Sequence, residues 1–220
     1  MGILKMNDRF NWKYILGEIL LIFIGISLAI GFNNWNTSLN SAKEKEIAIS
    51  KIKEEIQSNI QELVAARNIN GLILGAYIEY KEIYQGSSNE VITTPDHLND
   101  LQQKYPGYFT VADSSEDEAG AYHYTGTTSI DLELAELSQI AWETTRSINN
   151  PDHFNYECLY ELESMYNLQE RVQKEIDKAV NALQEHKIER LMGILEFIRQ
   201  YDIQLEKDYK IMLENIEACR

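Results

Sequence analysis

Proline, cysteine and positive charge are what this chain of 220 residues has least of. Its only prolines are Pro95, Pro106 and Pro151, so no proline stops a long helix from running between residues 14 and 94. Two cysteines, Cys158 and Cys219, are too few for a disulfide framework; a single bridge in an oxidising compartment and a pair of free thiols both stand. Lysine and arginine number 20 against 35 acids, for a net charge of −15. Residues 1–35 hold three cations and two acids, which leaves −16 on the remainder. Such a body is unsuited to nucleic-acid binding, which needs clusters of Lys and Arg against phosphates, and anionic lipid surfaces repel it.

Chemical motifs are missing too. The chain has no nucleophile elbow and no glycine-rich phosphate loop. His97, His123, His153 and His186 are scattered without metal-ligand spacing. Asp113, Ser115 and Asp117 imitate the start of a calcium loop, but Glu118 takes the required glycine position and Tyr124 the place of the bidentate Glu. The expectation is a protein that is not an enzyme and needs no cofactor or metal.

What is present begins with one apolar run, Tyr14 to Phe32, interrupted by a single acid, Glu18. At 1.5 Å per residue, Trp12 and Trp35 lie roughly 34 Å apart along a helix, which matches a bilayer core of ~30 Å with an aromatic ring at each interface. Trp12, Tyr14 and Trp35 are the expected interface anchors. Lys5, Arg9 and Lys13 precede the span, and Lys43 and Lys45 come after it, so the positive-inside rule favours a cytoplasmic N-terminus and an exported body. The expected location is the inner (cytoplasmic) membrane with a periplasmic C-terminal domain. A cleaved signal ending near Ala29 and Gly31 is the rival reading; the internal acid and the two tryptophans suit a retained anchor better. The rest of the chain has no second run long enough to span.

Glu18, Gly25 and Ala29 fall within about 20° of one helical face at 100° per residue. Small residues four apart let two helices approach closely, and a polar group beside them hydrogen-bonds across the contact. Three readings of Glu18 stand: shallow placement within reach of headgroups, helix pairing, and an ion or proton role. Pairing makes this face a transmembrane contact with another copy or another membrane protein.

Helical periodicity governs most of the chain beyond the span. Ile49, Ile52, Ile56, Ile60 and Leu63 form one apolar stripe, and Tyr77, Tyr80 and Tyr84 carry an aromatic face onward. Residues 86–128 read as an irregular region with a short helix starting at Thr94 and Pro95. A helix is expected from about Ile130, with Thr128 and Asp131 as its capping pair. From Asp152 two long stripes, Phe154 to Leu183 and Ile188 to Ile216, meet at a slip near Gln184–Lys187, where two antiparallel helices should reverse. Trp142, Phe154, Tyr160 and Tyr166 read as core. Tyr105, Tyr108, Tyr122, His123 and Tyr124 make a candidate ligand pocket, or a set of rings capping the bundle.

The predicted fold class is all-α, with one transmembrane helix continuing into a stalk and an antiparallel bundle. Its parts are a tail (1–13), the span (14–34), a stalk or first bundle helix (35–85), the irregular region (86–128) and the bundle with its C-terminal hairpin (129–220). The stretches GEILLIFIGISLAIGFNNWN (17–36), ISKIKEEIQSNIQEL (49–63) and AWETTRSINN with LYELESMYNLQERVQ (within 141–173) resemble a family of short single-pass proteins of Bacteroidota-type bacteria. That resemblance implies an anchor and a helical domain, and no activity. The functional expectation is a membrane-anchored structural or accessory protein acting by association. A ligand-sensing domain that signals through a partner is the alternative, since the thirteen or so residues before the span encode no output domain.

Overall fold

The computed structural model describes residues 12–84, 89–118, 120–148 and 154–219. The expected anchor side chain of Tyr14, His153, and the turn at Asn149–Pro151 lie outside the described residues. Helix α1 runs from Trp12 to Lys81 and is unbroken at Asn33, Asn34 and Asn36. The chain divides into two units, residues 1–47 and residues 48–220. The first contains the apolar part of α1, whose best 18-residue window has a mean hydropathy of 2.5 and no buried residue.

In the second unit the core lies among α1 from Ala48 onward, α4 (Tyr156–Gln184) and α5 (Ile188–Asn215). Partner positions give the directions. On α4 and α5, Gln169 meets Tyr209, and Cys158 meets Cys219 in the 3-10 turn Ile216–Cys219 just after α5, so these helices are antiparallel. Lys53 meets Glu217 and Arg67 meets Glu206, so α1 is antiparallel to α5 as well. Leu162, Val172, Leu191 and Leu205 are fully buried at the centre, each contributing about 1.5–3 kcal/mol.

The hairpin reverses at the expected place. Lys187 N–H donates to Ala182 O and His186 N–H to Leu183 O, the bond pair that closes a helix C-terminus, with His186 at a left-handed φ of 57°. Helix α2 (Pro95–Lys104) also starts where its signal lies: the Thr94 hydroxyl accepts from His97 N–H, Pro95 needs no partner and Asp96 faces the positive end.

Three expectations need correction. The fold is mostly helical rather than all-α, because the region read as irregular contains an antiparallel sheet of order β1–β3–β2: β1 is Glu90–Ile92, β2 Phe109–Glu116 and β3 Tyr122–Thr128. The calcium-loop mimic is the β2–β3 hairpin. Gly126 has to be glycine, since a Cβ there would lie 2.3 Å from Thr110 O. Second, residues 129–139 form no helix; they run as an extended strap, and helix α3 begins only at Ile140 and ends at Ile148. Thr128 closes β3, with its hydroxyl 3.0 Å from that of Tyr84, instead of capping a helix. Third, Tyr160 is 66% exposed on α4, whereas Trp142, Phe154 and Tyr166 are buried as expected.

A second hydrophobic cluster joins the sheet and α2 to the end of α1: Ala76, Tyr80, Val91, Leu98, Leu101, Tyr105, Tyr108, Phe109 and Tyr124. Tyr80 lies against Tyr108 at 5.1 Å and Phe109 at 5.7 Å between ring centroids. Its buried hydroxyl has no hydrogen-bond partner, and burial pushes its pKa up to about 12.

Candidate functional site

In the first unit, Glu18, Gly25 and Ala29 are exposed on the apolar helix, and a Cβ at Gly25 would meet nothing within 4 Å. That surface is open to close approach by another helix. Trp12 and Trp35 are exposed at its two ends, and Phe32 packs edge-on against Trp35 at 5.9 Å. An apolar surface of this extent without cover is stable in hydrocarbon and not in water.

In the second unit, the most elaborate chemistry is a buried polar network that the apolar stripes conceal. Glu55 Oε1 accepts from the Tyr166 hydroxyl (2.7 Å), and Oε2 accepts from the Ser138 hydroxyl and from Ala141 N–H (2.8 Å each). The carboxylate thereby caps the positive end of α3. Asn59 holds Ser138 at both backbone atoms, donating to its O (2.7 Å) and accepting from its N–H (2.8 Å). Asn70 does the same for Glu133 (2.8 and 3.0 Å). Gln169 Nε2 donates to the Leu137 and Ser138 carbonyls, and its oxygen accepts from Tyr209 (2.7 Å).

These bonds explain the strap. The eleven steps from Asn59 to Asn70 rise about 16 Å along a helix, and the five extended steps from Glu133 to Ser138 cover about the same distance, so the two amides clasp the strap in register. Side chains replace the backbone partners that a helix would have provided. Burial raises the pKa of Tyr166, as does its bond to Glu55, and burial likewise raises that of Tyr209. Both stay protonated donors. Nearly every polar group here is matched, so the network positions the strap against α1 and α4.

The sequence carried a signal for it. Asn59 sits on the stripe between Ile56 and Leu63, and Gln169 between Met165 and Val172; both are buried. A polar residue in an apolar stripe is a buried hydrogen-bonding group waiting for partners.

The aromatic pocket candidates are divided. Tyr105 and Tyr108 line a cleft of about 210 Å³ with Ile69, Leu72, Ile73, Ala76, Ser129 and Asp131. The Tyr105 hydroxyl donates to Glu79 at 2.7 Å. Tyr124 is buried in the second cluster and Tyr122 stacks beside it, ring centroids 6.4 Å apart. His123 points to the other face of β3, with Nδ1 3.1 Å from Glu90 and Nε2 3.3 Å from Asp117.

The neutral ring donates to only one of those carboxylates, and the imidazolium donates to both. The bond to Glu90, and after it the bond to Asp117, therefore raises the His123 pKa above 6.5. What this contact adds to stability is present below 6.5 and fades as pH rises through the raised value. NMR titration of the ring is expected to show the elevated midpoint, falling toward the ordinary value in Glu90→Gln. Among the described residues, no three His, Cys, Asp or Glu side chains group as a metal's ligand set.

No family model, curated protein or solved structure matches this chain.

Proposed function

We propose that the chain is a membrane-anchored accessory protein that works by protein–protein association, with Glu18, Gly25 and Ala29 as its contact in the bilayer. The observation that carries this reading is the uncovered face itself, an acid aligned with two small residues on an apolar helix. A carboxylate facing lipid costs a few kcal/mol, and a helix partner removes that cost. The body stands on the outer side of the cytoplasmic membrane and the N-terminus inside. The bridge between Cys158 and Cys219 supports this side, because such bonds persist in oxidising compartments. The family resemblance points to the same architecture.

The partner is a second copy or another membrane protein. In the detergent-solubilised protein, Glu18→Leu and Gly25→Leu are each expected to reduce assembly size or strip co-purifying proteins. Unchanged size and unchanged partners in both variants would end the proposal. A second reading, a ligand-sensing body, is favoured by the 210 Å³ cleft beside Tyr105 and Tyr108. A small molecule retained through purification from native membranes, without a stoichiometric protein partner, would favour it over association.

A further inference from the structure

The seam between α5, α1 and the strap contains an uneven set of charges. Arg67 on α1 bonds Glu206 through one guanidinium nitrogen at 2.6 Å, and both side chains are largely buried. One turn before Glu206 lies Asp202, only 4% exposed. Its Oδ1 has no hydrogen-bond partner, and neither does the other buried terminal nitrogen of Arg67. One cation thus faces two acids, and Glu206 already holds it.

We propose that Asp202 is a proton-operated latch on this seam: neutral, it lets α5 close against α1 and the strap; ionised, it competes with Glu206 for Arg67 and admits water. The packing supports both states. Asp202 borders two cavities of about 10 Å³ each, one shared with Ala66, Leu132 and Ile176, the other with Arg67, Gly71 and Leu74. Each has room for about one water, and their mostly apolar walls give it few partners while the acid is neutral.

The other charged groups here are few. Alongside Arg67 from α1, the strap brings Glu133, and α5 brings Arg199, Glu206 and Tyr209, with Lys210 beyond. From α4 only Ile176 and Ala179 reach the cavities. Arg199 is engaged by Glu196 at 2.7 Å, and Lys210 pairs with Glu206. Bonds from Lys210 and then Arg67 hold the Glu206 pKa low, so Glu206 keeps its charge while Asp202 loses its own.

Burial pushes the Asp202 pKa up to about 7 against the opposing pull of Arg67. The folded chain holds this proton more tightly than the unfolded chain, so the contribution is full below the ordinary value of 3.8 and is lost as pH rises through about 7.

Hydrogen exchange of the full chain in detergent tests the latch, read at residues 66–74, 131–136 and 195–206. After correction for intrinsic rates, exchange there is expected to rise about tenfold between about pH 5.5 and about pH 8.5. Asp202→Asn should hold it at the low-pH level throughout, with His123 still titrating and so not responsible. Glu206→Gln frees Arg67 for Asp202 and should move the midpoint down by about one unit or more. A pH-independent wild type, an unaltered rise in Asp202→Asn, or an unmoved midpoint in Glu206→Gln would overturn the proposal.

Discussion

Replacing Cys158 by serine is expected to cost about 4 kcal/mol of folding free energy. The bridge to Cys219 closes a loop of 61 residues, and the chain-entropy estimate for a loop of that length is about 4 kcal/mol. Weaker polar ties also reach the C-terminal turn. Lys53 pairs with Glu217 at 2.7 Å, but both are partly exposed and such pairs contribute about 0–1 kcal/mol. Asn155, whose Oδ1 caps α4 at Cys158 N–H, also donates to Ala218 O at 3.2 Å. Ile216 and Cys219 are buried beneath that turn, so losing the bridge frees apolar surface as well as chain. Denaturant titration of the full chain in detergent should give a lower midpoint for Cys158→Ser than for wild type, and wild type with reductant should approach the variant. Equal midpoints with and without reductant would mean that the bridge does not stabilise the body.

Removing the Glu55 carboxylate should cost nearly as much. Glu55→Ala strands the Tyr166 hydroxyl, the Ser138 hydroxyl and Ala141 N–H in the interior; a buried donor without its acceptor costs about 1–3 kcal/mol, which puts the three together at about 3–5 kcal/mol after partial relaxation. Glu55→Gln keeps one acceptor and should cost less. Because Tyr166 and Glu55 share a bond, Tyr166→Phe combined with Glu55→Ala should cost less than the two single changes added together. Denaturant titration of wild type and the four variants measures all three statements, and strict additivity would remove Glu55 from the centre of the network. The loss should be felt first where the strap meets α3, since Glu55 holds Ser138 at the strap's end and Ala141 in the first turn of α3.

Which features the sequence disclosed depends on how local their causes are. Thr94 with Pro95, and the slip at Gln184–Lys187, act through bonds only a few residues long, and both fall where the structure has them. The strap is different. Ile130, Leu134 and Leu137 fit a helical face, yet Ile130 to Leu134 also alternate apolar and polar with a period of two. What decides is Asn59 and Asn70, 79 and 63 residues from their partners, which supply the backbone bonds that an extended segment needs. Neither pattern contains that information.

The sheet was hidden for another reason. Strand β2 is exposed beyond its first residues, so it shows no alternation to read, and β1 has three residues. Tyrosines between 105 and 124 do gather on the sheet side of the body, but most of them fill a second core, of which Tyr105 and Tyr108 also border the 210 Å³ cleft. The alignment of Glu18, Gly25 and Ala29 on one face was the most legible part, because a helix fixes their angular positions without help from the rest of the chain.

Disulfide cross-linking within native membranes tests that contact most directly. Single cysteines placed at Gly25 and Ala29 are expected to cross-link to a neighbouring helix, whereas cysteines at Leu20 and Ser27, about 180° around the helix from Glu18, are expected not to. Cross-linking that peaks at Leu20 and Ser27, or that is equal at all four positions, would contradict a contact through the Glu18 face.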